Sequence, residues 1–177
     1  MFVTGGCRSG KSEFAEQLAL AAPEPVYYLA TGLVTDEEME ERVRRHRQRR
    51  PEHWQTIEEP LHLVEAVTAL QDREGLLLVD NLSGWLTNLM YRENLDPWQW
   101  DRDKEQEALS QVVSFLKVLD EGSLRCIIVG DEVGWGLVPP TPEGRAFRDL
   151  NGKANQLVAA AAGAVYLVVS GIPLKIK

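Results

Sequence analysis

The chain has 177 residues, of which 44% are hydrophobic and 26% are charged, so its length and composition suit one globular domain over residues 1–177. Its formal net charge of −8 argues against a general nucleic-acid or membrane-surface binder, because such proteins normally present a basic excess. No apolar run reaches the roughly 18 residues of a membrane span, so we expect no membrane span, and we also expect no secretory signal at the N-terminus. With only two cysteines, we expect a protein of the reducing cytoplasm.

A phosphate-binding pattern lies close to the N-terminus. Residues 5–12 read Gly-Gly-Cys-Arg-Ser-Gly-Lys-Ser and fit the pattern G-x-x-x-x-G-K-[ST]. A short apolar segment precedes the pattern and an amphipathic helical pattern follows it, which is the context that this motif requires. In such a loop the backbone N–H groups surround a polyphosphate, Lys11 reaches the outer phosphates and Ser12 holds Mg²⁺. The motif therefore predicts a nucleotide-binding loop made of Gly5, Gly6, Cys7, Arg8, Ser9, Gly10, Lys11 and Ser12.

Apolar segments of strand length alternate with helical patterns along the rest of the chain. The segments are apolar without alternation, which is typical of a parallel sheet covered by helices on both faces. We therefore predict an α/β fold, a three-layer sandwich of the P-loop NTPase (RecA-like) type with a mostly parallel central sheet. The predicted strands are Phe2–Thr4, Val26–Ala30, Leu76–Val79, Cys126–Val129 and Val165–Val169, and the predicted helices span residues 11–22, 36–50, 61–70, 83–92, 104–120 and 143–162.

The predicted strand at Leu76–Val79 is followed directly by Asp80. In P-loop proteins an acid at such a strand end lies beside the Mg²⁺ shell, so Ser12 and Asp80 are the predicted metal-binding residues. The alternative is that Asp80 serves only the turn, because many buried strands end in aspartate. The phosphate loop favours the metal role.

The predicted helix at residues 36–50 begins acidic and ends basic, which suits the helix dipole. His46 lies within one turn of Arg42, Arg49 and Arg50. Neighbouring guanidinium groups disfavour the protonated imidazole and could also clamp a polyphosphate, so His46 is a candidate nucleophile. The residues alone leave a second interpretation equally open, in which a basic helix end faces water and the histidine is incidental.

Three blocks of the sequence resemble one family, the bifunctional adenosylcobinamide kinase / adenosylcobinamide-phosphate guanylyltransferase of cobalamin biosynthesis. The similarity covers nearly the whole chain, and the second and third blocks are typical of this family rather than of P-loop proteins in general. The matching segments are Val3–Ser12, then Tyr28–Thr31 with the pattern from Asp36 to Trp54, and finally Glu132–Pro139 with Phe147–Leu150 and Asn155-Gln156.

The resemblance implies two reactions. A nucleoside triphosphate, ATP or GTP, phosphorylates adenosylcobinamide, and GTP then guanylylates a histidine that maps onto His46 before GMP passes to the corrinoid phosphate. The resemblance also implies a homotrimer with the corrinoid between subunits, for which Trp98, Trp100 and Trp135 could be anchors or plain core. Beyond the phosphate loop, the nucleotide contacts that it implies are Thr31, Gly32, Leu33, Arg47, Gln48, Arg49, Arg50, Glu58 and Asp80.

Three residues depart from the family pattern. Cys7 replaces a small alanine, Asp131 stands where asparagine is common, and Asn151 stands where a small residue is usual. None of them is a predicted catalytic residue. Two alternative functions stay open at this point, a P-loop small-molecule kinase without guanylyl transfer and a non-catalytic GTP-binding module.

Overall fold

The structure, a computed structural model, describes residues 1–23, 25–33, 41, 44, 47, 50–93 and 98–177. Strands and helices alternate along most of the chain, as the sequence predicts. The strands are β1 (Phe2–Gly5), β2 (Val26–Ala30), β3 (Gln55–Glu58), β4 (Leu76–Asp80), β5 (Arg125–Asp131), β6 (Val165–Val169) and β7 (Ile172–Lys175). The helices are α1 (Lys11–Leu20), α2 (Leu63–Thr68), α3 (Leu82–Tyr91), α4 (Arg102–Glu121) and α5 (Pro142–Ala161).

All seven strands form one sheet in the order β3-β2-β4-β5-β1-β6-β7. The pairs are parallel except for β6 with β7, which is antiparallel. Because parallel strands end at the same edge, the register pairs Ala30 with Asp80 and Gly5 with Asp131 at that edge. The phosphate loop and two strand-end carboxylates are therefore close together, where open α/β sheets bind ligands.

The sheet is buried on both faces, which confirms the predicted three layers. Successive residues such as Leu77 and Leu78, 0% and 1% exposed, belong to different cores. The first core contains residues of α2, α3, α4 and α5, and the second contains residues of α1. Burying one leucine side chain fully adds about 1.5–3 kcal/mol to the free energy of unfolding, relative to leaving it exposed. Because both faces of the sheet are buried, the strands are apolar without alternation.

Polar side chains define where three helices begin. The Asn81 side chain accepts a hydrogen bond from the Gly84 N–H, and Asp101 accepts one from the Lys104 N–H. Thr141 caps α5 in the same way, with Pro142 following it in the first turn. Each cap satisfies a backbone N–H that the first helical turn leaves unpaired, and such caps contribute about 1 kcal/mol.

The sequence missed β3 and β7, which are the two edge strands. Gln55–Glu58 is polar and largely exposed, so it lacks the apolar signal of a buried strand. Ile172–Lys175 contains a proline, and all four of its residues are exposed. It pairs with β6 through the two-residue turn at Ser170-Gly171, where both residues have positive φ. The predicted helix at 36–50 lies largely outside the described residues, although Glu41, Arg44 and Arg47 are helical. Among the described helices, none has the length and apolarity to cross a membrane.

Candidate active site

The phosphate loop connects β1 to the first turn of α1. Gly10, with φ of 93°, precedes the helix in the left-handed conformation that glycine tolerates best, and Arg8 also has positive φ. The Ser9 N–H donates to the Gly6 carbonyl at 3.2 Å and tightens the loop. Since the first turn of a helix leaves N–H groups unpaired and carries the positive end of its dipole, the loop and α1 together can bind a polyphosphate.

Lys11 extends its ammonium group over this loop. Its Nζ lies 2.6 Å from Asp131 Oδ1 and donates to the Gly6 carbonyl at 3.2 Å. The Lys11 side chain is only 9% exposed, so most of its length is packed and the charge is held at the loop. This is the position from which a lysine can contact the outer phosphates of a nucleotide.

Asp80 and Ser12 meet at the end of β4. Ser12 Oγ donates to Asp80 Oδ1 at 3.2 Å, and the Tyr28 hydroxyl donates to Asp80 Oδ2 at 2.6 Å. Burial, with the Asp80 charge adding to it, raises the pKa of Tyr28 well above its usual value, so the phenol stays a proton donor. Hydroxyl and carboxylate oxygens are the ligands that Mg²⁺ takes beside substrate phosphates, so Ser12 and Asp80 fit a magnesium ion.

Tyr28 links this carboxylate to Arg50, which comes four residues after His46 in the chain. The Arg50 guanidinium carbon lies 3.3 Å from the centre of the Tyr28 ring, and Trp54 stacks near the same ring at a centroid distance of 6.4 Å. A guanidinium over an aromatic face is favourable by about 0.5–2 kcal/mol. Tyr28 is not among the residues predicted for the site, although it begins a segment that matches the family and lies on a buried strand beside the strand that ends in Asp80.

The other predicted nucleotide contacts lie partly at the same sheet edge and partly outside the described residues. Arg47 forms an ion pair with Glu58 at the end of β3, so these two predicted residues contact each other at the same sheet edge. Thr31 is buried, and its hydroxyl donates to the Asn81 carbonyl at 2.7 Å and accepts from the Asn81 N–H at 2.9 Å, which joins the ends of β2 and β4. Gly32 and Leu33 follow it and are exposed, whereas His46, Gln48 and Arg49 lie outside the described residues.

Asp131 belongs to a polar network at the end of β5. Its N–H donates to Ser83 Oγ at 2.8 Å, and its carbonyl accepts from the amides of Asn151 and Asn155 at 2.8 and 2.9 Å. Its Oδ2 accepts from Asn81 Nδ2 at 3.0 Å. Two of the departures from the family pattern, Asp131 and Asn151, are therefore hydrogen-bonded to each other beside the phosphate loop.

An exposed apolar loop follows β5 at the same edge of the sheet. Arg148 donates to the carbonyls of Gly134 and Gly136, and Arg145 donates to those of Pro139 and Pro140, so α5 holds the loop at two points. The loop nevertheless exposes three apolar side chains to solvent. They are Trp135, Leu137 and Val138, with exposed fractions of 75%, 95% and 71%.

Gly5 and Gly6 offer a test of how tightly the loop is packed. A Cβ on Gly5 would lie 2.5 Å from the Val168 carbonyl and 2.6 Å from Ser9 Oγ, whereas a Cβ on Gly6 would meet nothing within 4 Å. Gly5→Ala is therefore expected to lower the free energy of unfolding by about 1–3 kcal/mol through overpacking. Gly6→Ala, the matched control, should change it by less than about 1 kcal/mol. Chemical denaturation without nucleotide measures both, and equal stability of the two variants would contradict the packing argument.

The loop, the lysine and the strand-end acid on a mostly parallel sheet define a P-loop NTPase fold. A solved structure described as a prototypical ATPase from the type III secretion system of pathogenic bacteria superimposes with a TM-score of 0.59 at 12% identity. The similarity covers 94% of this chain and 49% of that chain, so this chain spans about half of the ATPase's length. At this identity the likeness shows the fold alone, and it confirms the predicted fold class.

The family follows from the whole length of the sequence. The model of the cobinamide kinase / cobinamide phosphate guanyltransferase family matches residues 1–176, and the chain belongs to this family. It is 41% identical over 180 residues to the bifunctional adenosylcobalamin biosynthesis protein CobU of Escherichia coli (strain K12), covering 100% of this chain and 99% of that protein. The resemblance inferred from the sequence is confirmed, and the chain is a bifunctional transferase, a kinase and a guanylyltransferase.

Two further relatives also match over nearly the whole length of the chain. The CobU protein of Salmonella typhimurium is 41% identical over 184 residues, which cover 100% of this chain and 99% of that protein. The bifunctional adenosylcobalamin biosynthesis protein CobP of Pseudomonas aeruginosa is 38% identical over 175 residues, which cover 99% and 95%. This agreement favours the bifunctional enzyme over the two alternatives, the kinase without guanylyl transfer and the non-catalytic module.

Proposed function

We propose that the chain phosphorylates adenosylcobinamide with a nucleoside triphosphate and then transfers GMP from GTP, through a guanylyl group on His46, to the corrinoid phosphate. One observation carries the choice of His46. A continuous series of contacts runs from Arg50 to the Tyr28 ring, from the Tyr28 hydroxyl to Asp80, and from Asp80 to Ser12 of the phosphate loop. Arg50, four residues after His46 in the chain, thus contacts the nucleotide edge of the sheet.

In the kinase reaction, the corrinoid hydroxyl oxygen attacks the γ-phosphorus. The bond from that phosphorus to the β-phosphate oxygen breaks, the nucleoside diphosphate leaves, and the hydroxyl proton is released. The Lys11 ammonium and the N–H groups of the loop stabilise the charge on the transferring group. Ser12 and Asp80 would hold Mg²⁺, which when bound supplies positive charge to the phosphate oxygens.

In the guanylyl transfer, an imidazole nitrogen of His46 attacks the α-phosphorus of GTP and pyrophosphate leaves. A phosphate oxygen of the corrinoid then attacks the same phosphorus, the P–N bond breaks, and adenosylcobinamide-GDP is formed with His46 restored. A covalent intermediate accelerates such a reaction because it divides one difficult transfer into two easier steps. Arg47, Gln48, Arg49 and Arg50 come directly after the nucleophile, where guanidinium groups can bind the phosphates.

The nucleotide site that we propose extends along the part of the sheet edge that runs from β3 to β1. Its support is the shared edge at which β1, β2, β3 and β4 end, together with the ion pair between Arg47 and Glu58. Its residues are Gly5, Gly6, Cys7, Arg8, Ser9, Gly10, Lys11, Ser12, Thr31, Gly32, Leu33, Arg47, Gln48, Arg49, Arg50, Glu58 and Asp80.

We also propose a homotrimer in the cytoplasm. The exposed apolar side chains of Trp135, Leu137 and Val138 beside the site give such an assembly a surface to bury, whereas Trp98 and Trp100 stack on each other and pack against the first core. The exposed free thiol of Cys7 suits a reducing compartment. Sedimentation equilibrium of the full chain tests the assembly, and a monomeric mass would contradict it.

Labelling separates this function from its alternatives. With GTP labelled at the α-phosphorus, we expect an acid-labile, base-stable label on the protein. Adding adenosylcobinamide phosphate should remove this label. With the γ-phosphorus labelled, label should pass to adenosylcobinamide. Corrinoid phosphorylation without covalent nucleotide would indicate a kinase alone, and tight GTP binding without either transfer would indicate a binding module.

A further inference from the structure

Asp131 lies at the C-terminal end of β5, and the register pairs it with Gly5 of the phosphate loop. Its Oδ1 is 2.6 Å from Lys11 Nζ, with side-chain exposures of 27% and 9% respectively. The ion pair is therefore partly shielded from water, so it is stronger than a fully exposed pair. The Lys11 ammonium carries three N–H donors, and Asp131 and the Gly6 carbonyl accept two of them.

The Asp131 carboxylate is anchored independently of the lysine. Asn81 Nδ2 donates to its other oxygen, Oδ2, at 3.0 Å. Its backbone is tied to Ser83, Asn151 and Asn155 by three hydrogen bonds of 2.8–2.9 Å. If Lys11 turns toward another anion, the carboxylate cannot follow it without losing its hydrogen bond with Asn81, because the backbone that carries the side chain is fixed.

The proposed function requires the same ammonium group to contact the outer phosphates of the nucleotide. We infer that Asp131 is a specificity-determining residue, which competes with the outer phosphates for Lys11 and lowers the affinity for triphosphates; the inference rests on the proposed function. A carboxylate and a phosphate carry the same sign of charge, so each contact that Lys11 makes with one weakens its contact with the other. Ligands that lack β- and γ-phosphates do not enter this competition.

Asp131→Asn removes the charge while keeping the shape of the side chain. Because a charge-assisted hydrogen bond is stronger than a neutral one, releasing Lys11 from Asp131 should tighten triphosphate binding by about tenfold. GMP, which has no β- or γ-phosphate, should gain less than about threefold. A residue that merely supports the fold would not distinguish the two ligands.

Calorimetric titration with the β,γ-imido analogue of GTP and with GMP measures both affinities. The matched control is Asp120→Asn, which changes the net charge equally at an exposed site near the end of α4, before the opposite end of β5. Its affinities should equal those of the wild type. In a Lys11→Met background, Asp131→Asn should tighten triphosphate binding by less than it does beside Lys11, since only the direct repulsion between the carboxylate and the phosphates is then relieved. Asp131→Ser supplies a second neutral variant, and thermal unfolding checks that each variant is folded.

The outcomes separate this inference from the proposed function. Unchanged or weaker binding of the triphosphate analogue by both neutral variants would overturn the inference while the guanylylation label stands. Equal tightening toward GMP would also overturn it, because the effect would then be a general loss of negative charge. A wild-type chain that binds no triphosphate would overturn the inference and the proposed function together.

Discussion

His46→Ala is expected to leave no covalent label when the protein is incubated with GTP labelled at the α-phosphorus. The methyl group cannot attack phosphorus, so the guanylyl transfer rate should fall by at least about 10³-fold, as for other removed nucleophiles. Phosphorylation of adenosylcobinamide should be retained within about threefold, because its charge stabilisation comes from the phosphate loop. Gels run after an alkaline quench with denaturing detergent measure the acid-labile label, and transfer of γ-phosphate measures the kinase step.

The other two histidines are the matched controls. His53 is exposed in the turn after Pro51, and His62 is exposed at the start of α2. His53→Ala and His62→Ala should each keep full labelling, since neither residue is assigned to the site. Label that persists in His46→Ala, or that disappears in His53→Ala, would remove His46 from the role of nucleophile.

Lys11→Ala is expected to lower kcat/KM of both reactions by about 10²–10³-fold, or roughly 2.7–4 kcal/mol in transition-state stabilisation. Its ammonium lies at the phosphate loop on a buried stem, so no other described lysine can replace it there. The loss should affect both reactions, unlike that in His46→Ala. Steady-state kinetics with GTP over a wide concentration range separates the effects on kcat and on KM.

Lys117→Ala is the control for the loss of one positive charge. The Lys117 side chain is 72% exposed and lies 3.7 Å from Glu121 on the surface of α4. Such an exposed pair contributes little, so this variant should have wild-type kinetics. A loss of less than about tenfold in folded Lys11→Ala would show that the loop does not bind the reacting phosphates through this lysine.

The buried strands and the phosphate loop could be predicted because their signals are local. Glycines, Lys11 and Ser12 occur at fixed spacing between a strand and a helix, and the strand before Asp80 is apolar throughout because both faces of the sheet are covered. The predicted helix ends differ from the observed ends by one or two residues at most helices. The capping residues, such as Asn81 before α3 and Thr141 before α5, decide where a helix begins. The edge strands β3 and β7 escaped detection because β3 is largely polar and β7 is a short exposed segment interrupted by Pro173.

The candidate site was only partly predictable. Tyr28 looks like any core residue on a buried strand, and only the pairing of β2 with β4 brings its hydroxyl to Asp80. Asp131 was noted as a departure from the family, but its contact with Lys11 joins residues 120 positions apart. Contacts of this range depend on strand order, which short sequence patterns do not encode.

The amino-acid sequence alone was sufficient for the phosphate loop, the mostly parallel fold and the family, because repeated local patterns and long stretches of similarity carry them. The tertiary structure alone decided which side chains meet at the carboxyl edge of the sheet. Because β5 lies beside β1 in the sheet, Asp131 at its end reaches Lys11. Because β2 lies beside β4, the Tyr28 hydroxyl reaches Asp80. The physical reason is that the charge environment of a site is set by distances through space, and these follow from strand order and register.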